Sequence, residues 1–102
     1  MIIEVNENNP IVSGKEPVLL DFWAEWCGPC RITKNNLYKF ADAHPEIKIY
    51  TINVDENEDI AEEYHVQSLP TLICINQEND FTEEIWRHNG LMTVQMLEEK
   101  FQ

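Results

Sequence analysis

Apolar residues in this 102-residue chain fall into short dense runs, separated by stretches where they recur at helical spacing. Val18-Leu19-Leu20-Asp21-Phe22-Trp23 is nearly continuous, the pattern of a strand covered on both faces. Thr71 to Ile75 is a second such run, entered through Pro70. Between them the pattern predicts a helix from Gly28–Cys30 to about Ala43, with Ile32, Leu37, Phe40 and Ala41 as its apolar stripe and His44-Pro45 as its stop. Ile47 to Val54 reads as the next strand, and Glu58 to Tyr64 as a short helix burying Ile60, Ala61 and Tyr64. Asn76 to Asp80 reads as a hairpin turn before a strand at Thr82 to Arg87. Val94, Leu97 and Phe101 mark one face of a closing helix. Near the start, Ile2, Ile3 and Val5 suit a short edge strand, and Asn6 to Pro17 has too few periodic apolar residues for a regular helix. Strands alternating with helices predict an α/β layered domain, one unit over residues 1–102.

Charge narrows the partners. Nineteen acidic residues against seven Lys and Arg give a formal net charge of −12, a field that repels phosphate backbones and anionic membrane surfaces. Neither nucleic acid nor membrane is therefore expected as a partner. Acidity reads first as a solvated surface and second as a preference for basic partners. No apolar run is long enough to span a bilayer, and Met1-Ile2-Ile3-Glu4-Val5-Asn6 has no basic start leading into an apolar run, so the expected location is the cytoplasm.

Three cysteines, two of them three positions apart, point in a reducing compartment to metal or redox chemistry rather than a disulfide framework. Cys27 and Cys30 fall where a helix follows a strand. Residues three apart on a helical turn are neighbours, so their sulfurs can bond with little backbone movement. A helix N-terminus favours a thiolate, the attacking species in disulfide exchange, which suits Cys27. Pro29 fits the first turn, where its missing N–H breaks no bond, and Cys30 lies deeper and suits a resolving role. A zinc site would share the Cys-x-x-Cys but needs a second ligand pair, and His44, His65 and His88 stand singly. No metal is expected. Asp21 is a carboxylate inside an apolar strand, so its pKa is expected to be raised, leaving it able to move a proton for a thiol; a hydrogen-bonded Asp at a strand end is the alternative. Cys74 reads as a small buried filler, and Phe81 and Trp86 as core or hairpin-packing aromatics.

The segment Asp21-Phe22-Trp23-Ala24-Glu25-Trp26-Cys27-Gly28-Pro29-Cys30 resembles the active-site segment of the thioredoxin family, with Asn53-Val54-Asp55-Glu56-Asn57 and Ser68-Leu69-Pro70-Thr71 similar to two further family segments. The resemblance runs from about Val18 to Phe101. It implies the thioredoxin fold, a central mixed β-sheet flanked by helices, here with a short N-terminal region. It implies a protein-disulfide reductase with Cys27 as nucleophile, Cys30 as resolving thiol and Asp21 as buried acid/base. Trp26, Gly28, Pro29, Leu69 and Pro70 would form the substrate-binding surface, with Trp23 packed beside the site. Pro70 would be cis and the Leu69 backbone would pair with an extended substrate segment. It further implies no bound cofactor, electrons from an NADPH-dependent thioredoxin reductase, disulfide-containing proteins as substrates, and a monomer.

The chain also departs from the family. The lysine usually facing the buried aspartate is Thr51 here, so Asp21 is expected to be harder to ionise and reduction to fall off at a higher pH threshold. The helix-kinking proline is Asn35, so a straighter helix is expected. Gln67 and Ser68 replace an arginine and a glycine before the cis-proline loop, and Asn89, beside Gly90, replaces a glycine near the last helix. These positions surround the docking face. Two rival readings follow: a binding module that keeps the fold, and an oxidoreductase dedicated to one client or fed by a glutathione-type donor.

Overall fold

The two densest apolar runs occupy the middle of a five-stranded sheet. A computed structural model describes residues 1–102. Along the chain lie β1 (Ile2–Glu4), β2 (Val18–Trp23), α1 (Gly28–Ala43), β3 (Lys48–Asn53), α2 (Glu58–Glu63), β4 (Thr71–Glu78), β5 (Phe81–Asn89) and α3 (Val94–Lys100). The strand order is β1-β3-β2-β4-β5. β3 runs parallel to both β1 and β2, while β4 is antiparallel to β2 and β5 to β4. This is the mixed sheet flanked by helices that the resemblance implies.

Alternation along the strands divides the core between two layers. Val18, Leu20 and Phe22 join Tyr50, Ile52, Ile73 and Ile75 on one face, closed by Ile60, Ala61 and Tyr64 at and beside α2. Leu19, Ile49, Leu72 and Cys74 point the other way and pack with Leu37 and Phe40 of α1, Met92 and Leu97. Cys74 is buried there as the expected filler, and burial pushes its thiol up to about 11. The N-terminal run forms the expected edge strand, with no helix between it and β2.

α1 matches its expected span, but its inward stripe differs. Cys30, Thr33, Leu37 and Phe40 are buried, and Ile32 is 52% exposed. With successive residues turned by about 100°, a face that holds positions 30, 33, 37 and 40 turns Ile32 outward. The inward place next to it goes to Thr33, whose hydroxyl accepts from the Met92 N–H at 3.2 Å. Asn36 Nδ2 donates to the Met92 carbonyl at 2.8 Å, so two polar side chains fix the approach to α3. His44 caps the other end of α1, its ring against Phe40 and its Nε2 on Glu98 of α3. No cluster of three or more His, Cys, Asp or Glu is placed to hold a metal ion, and no helix is long and apolar enough to cross a membrane.

The hairpin also differs. β4 continues to Glu78, and the turn is only Asn79-Asp80, with φ of 55° and 64°. Two positive φ values define a type I′ turn, whose twist matches its strands, so the polar residues Asn76 to Glu78 stay in the ladder. Phe81, at the tip, is 70% exposed rather than packed. Trp86 is packed, edge-on to Phe101 at 5.9 Å between ring centroids.

Asp80 holds its left-handed backbone at a cost glycine would not bear. Relief of a left-handed cost of roughly 1–2 kcal/mol, less the entropy glycine loses on folding, leaves Asp80→Gly expected to raise unfolding free energy by about 0.5–1 kcal/mol in urea titrations, and Asp80→Val to lower it.

Candidate active site

β2 delivers the site. Trp23, its last residue, passes the chain to Ala24, whose carbonyl accepts the Cys27 N–H at 3.2 Å and closes a turn into α1. Cys27 is the N-cap of that helix: its Sγ accepts the Cys30 N–H at 3.2 Å. Gly28 and Pro29 form the exposed first helical positions, where the missing proline N–H leaves no bond unmade. Cys27 and Cys30 are disulfide-bonded, with Cα atoms 5.3 Å apart. Cys27 keeps 6% exposure and Cys30 2%, the order expected of an attacking and a shielded sulfur.

Once reduced, the same arrangement favours charge on Cys27. The hydrogen bond from the Cys30 amide and the positive end of a 16-residue helix both stabilise a thiolate there. Asp21 lies on the α1 side of β2, fully buried between Thr51 of β3 and Leu72 of β4. Neither of its carboxyl oxygens has a hydrogen-bond partner in the chain, and neither has the buried Trp23 Nε1. Burial raises the carboxyl from its ordinary 3.8 to about 7, so the expected shift is present and its cause is desolvation. In the oxidised pair no sulfur carries a proton, and Asp21 bonds to neither.

Thr51 stands opposite Asp21, as the sequence indicates, yet the carboxyl is not without a cation. Lys34, one turn past Cys30, lowers its pKa against the effect of burial. Sequence reading missed Lys34. Its signal was the spacing of four from Cys30, which puts both on one helix face.

The loop before β4 has the cis proline that the resemblance implies. The Leu69–Pro70 bond is cis, and Leu69 packs against Ala24, Cys27 and Cys30. The Thr71 hydroxyl donates to the Ser68 carbonyl at 2.6 Å and lies 3.0 Å from Asn89 Oδ1, and the Gly90 N–H donates to the Pro70 carbonyl. These bonds fix the loop while the Leu69 N–H and carbonyl make no backbone bond. Trp26 is 71% exposed, with Nε1 donating to Asp55 at 2.9 Å. The sequence shows Asp55 only as part of the segment Asn53 to Asn57 and not its bond to Trp26, because that partner lies 29 positions away. Trp26, Val54, Ala61, Val66 and Leu69 line a largely apolar groove of about 230 Å³.

The thioredoxin family model matches residues 2–100. A thioredoxin of Griffithsia pacifica is 39% identical over 77 residues, 74% of this chain and 71% of that protein. One of Alicyclobacillus acidocaldarius is 46% identical over 63 residues, 61% of this chain and 60% of that protein. The solved structure of Trichomonas vaginalis thioredoxin superposes with a TM-score of 0.75 at 31% identity, covering 84% of this chain and 79% of that one. With a cysteine pair capping a helix, a cis-proline loop beside it and a family match over nearly the whole length, the chain belongs to the thioredoxin family of thiol–disulfide oxidoreductases.

Proposed function

We propose that this protein works in the cytoplasm as a monomeric one-domain reductant of protein disulfides, with Cys27 as nucleophile and Cys30 as resolving thiol. The observation that carries the assignment of roles is the N-cap position of Cys27, whose sulfur accepts the Cys30 amide hydrogen bond. The Cys27 thiolate attacks one sulfur of the substrate disulfide, and the other leaves as a thiolate and takes a proton. Cys30 gives its proton to the Asp21 carboxylate and attacks Cys27 Sγ. The mixed disulfide breaks, the second substrate sulfur departs with the electron pair, and the Cys27–Cys30 bond forms. Two electrons pass from the dithiol to the substrate.

The free Leu69 N–H and carbonyl support docking of an extended segment as a short added strand beside the sulfurs. Trp26, Gly28, Pro29 and Pro70 border that segment, and the net charge of −12 favours segments with basic residues. The oxidised pair regains its electrons from an NADPH-dependent thioredoxin reductase, with no cofactor held by this chain.

Dithiothreitol-driven insulin reduction tests the assignment. Cys27→Ser should abolish turnover, and Cys30→Ser should accumulate a mixed disulfide visible on a non-reducing gel. Full turnover by Cys27→Ser would remove the proposed nucleophile. For Asp21, the acceptor role requires the carboxylate. Asp21→Asn should therefore slow reduction at pH 8 by about 100-fold or more, with the two rates converging below about pH 6.

Stability supplies an independent check. The folded carboxyl near 7 binds its proton more tightly than the unfolded one at 3.8. Its contribution is fully present below about pH 4 and is lost as pH rises through about 7. Oxidised Asp21→Asn is expected to match the parent at pH 3.5 and to exceed its unfolding free energy at pH 8, on the order of a few kcal/mol.

A further inference from the structure

The inward face of α1 carries a lysine that the exchange chemistry leaves unassigned. Cys30, Thr33, Lys34 and Leu37 follow one another along that face, three of them fully buried and Lys34 half-buried. The Lys34 ammonium lies 4.1 Å from the centroid of the Trp23 ring, a cation–π contact that anchors it. Trp23 is two residues beyond Asp21, so their side chains emerge on the same face of β2. Lys34, Trp23 and Cys30 line one cleft of about 290 Å³, whose rim also carries Ala24, Glu25 and Arg31.

The charged and titratable groups around Asp21 can be placed from the sheet register. Its row across the α1 face reads Glu4, Thr51, Asp21, Leu72, His88. Glu4 is exposed at one end, and His88 at the other bonds the Leu91 carbonyl. Cys74 shares the face with its thiol held neutral, and Met92 and Leu97 close it from the α3 side with apolar atoms. Arg31 is exposed and donates to the Glu25 carbonyl. α1 places the resolving sulfur and one half-buried ammonium, Lys34, over the sheet face that carries the carboxyl.

We propose that Lys34 is the positioning residue for the proton step: anchored on Trp23 one turn from Cys30, its ammonium favours the carboxylate form of Asp21 that accepts the Cys30 proton. The position across the ladder that could have held a cation is Thr51. The charge comes instead from the helix that carries the reacting sulfurs. Burial and Lys34 act on the carboxyl in opposite directions, the first raising and the second lowering its pKa. Arginine at position 34 would keep the charge and the stacking, whereas methionine would keep the stem and lose the charge.

The inference rests on the proton-acceptor reading of Asp21, so the experiment reads the two separately. The midpoint of Asp21 is followed by ¹³C NMR of its carboxyl in the oxidised protein and two variants, K34M and K34R. Insulin reduction is followed over the same pH range, and urea titration verifies that each variant is folded. K34M should raise the Asp21 midpoint by about one pH unit and carry the acidic limb of the rate with it, while K34R keeps both in place. Adding T51K to K34M, which puts a lysine across the ladder, should bring the midpoint back down. An unmoved midpoint in folded K34M, or a rate loss equal at every pH, overturns the assignment of Lys34. An acidic limb that survives in Asp21→Asn overturns the proton-acceptor reading instead, and with it the role of Lys34 in the reaction.

Discussion

The site depends on a carboxyl group that the fold keeps away from water. Asp21 sits on the strand with the densest apolar surroundings, between a parallel and an antiparallel neighbour, and beneath the helix that carries both sulfurs. Desolvation makes its charge expensive, and that expense moves its titration into the neutral range. Moved to an exposed strand end, the same residue would titrate near its ordinary value. The mixed sheet thus sets the titration of the carboxyl as well as its position.

A second constraint is the turn from β2 into α1. It must end a strand, release Trp26 to the surface and begin a helix on a sulfur cap. The Cys27 amide bond to Ala24 and the cap on Cys27 achieve this locally. The hydrogen bond from Trp26 to Asp55 ties the exposed indole to the segment after β3. Trp26 and the adjoining Cys27, the Asp55 carboxylate and the cis-proline loop therefore come from three separated parts of the chain, held against one sheet end.

Much of this was legible in the sequence because its signals are local. Runs covered on both faces identified β2 and β4, and the Cys-x-x-Cys at a strand–helix junction identified the reacting pair. Asp21 was visible as a polar residue in an apolar run. What escaped detection depended on phase or on tertiary neighbours. Ile32 is apolar but lies off the face fixed by Cys30, Leu37 and Phe40, while Thr33 takes an inward place through its bond to Met92. Asn76 to Glu78 have the composition of a turn, yet two left-handed residues at Asn79-Asp80 keep them in the ladder. Thr51 does lie across the ladder from Asp21, but the cation that acts on the carboxyl, Lys34, comes from another element, and pairwise spacing along β3 cannot reveal it.

The burial of Cys74 bears on electron stoichiometry. This chain has three cysteine sulfurs that could enter disulfide exchange, yet the third is enclosed in the core with its thiol held protonated far above neutral pH. A protonated, enclosed sulfur neither attacks a disulfide nor is readily attacked, so it cannot divert the Cys27–Cys30 couple into a mispaired loop. The folded molecule accordingly has two redox states rather than a family of isomers, and each cycle transfers one pair of electrons.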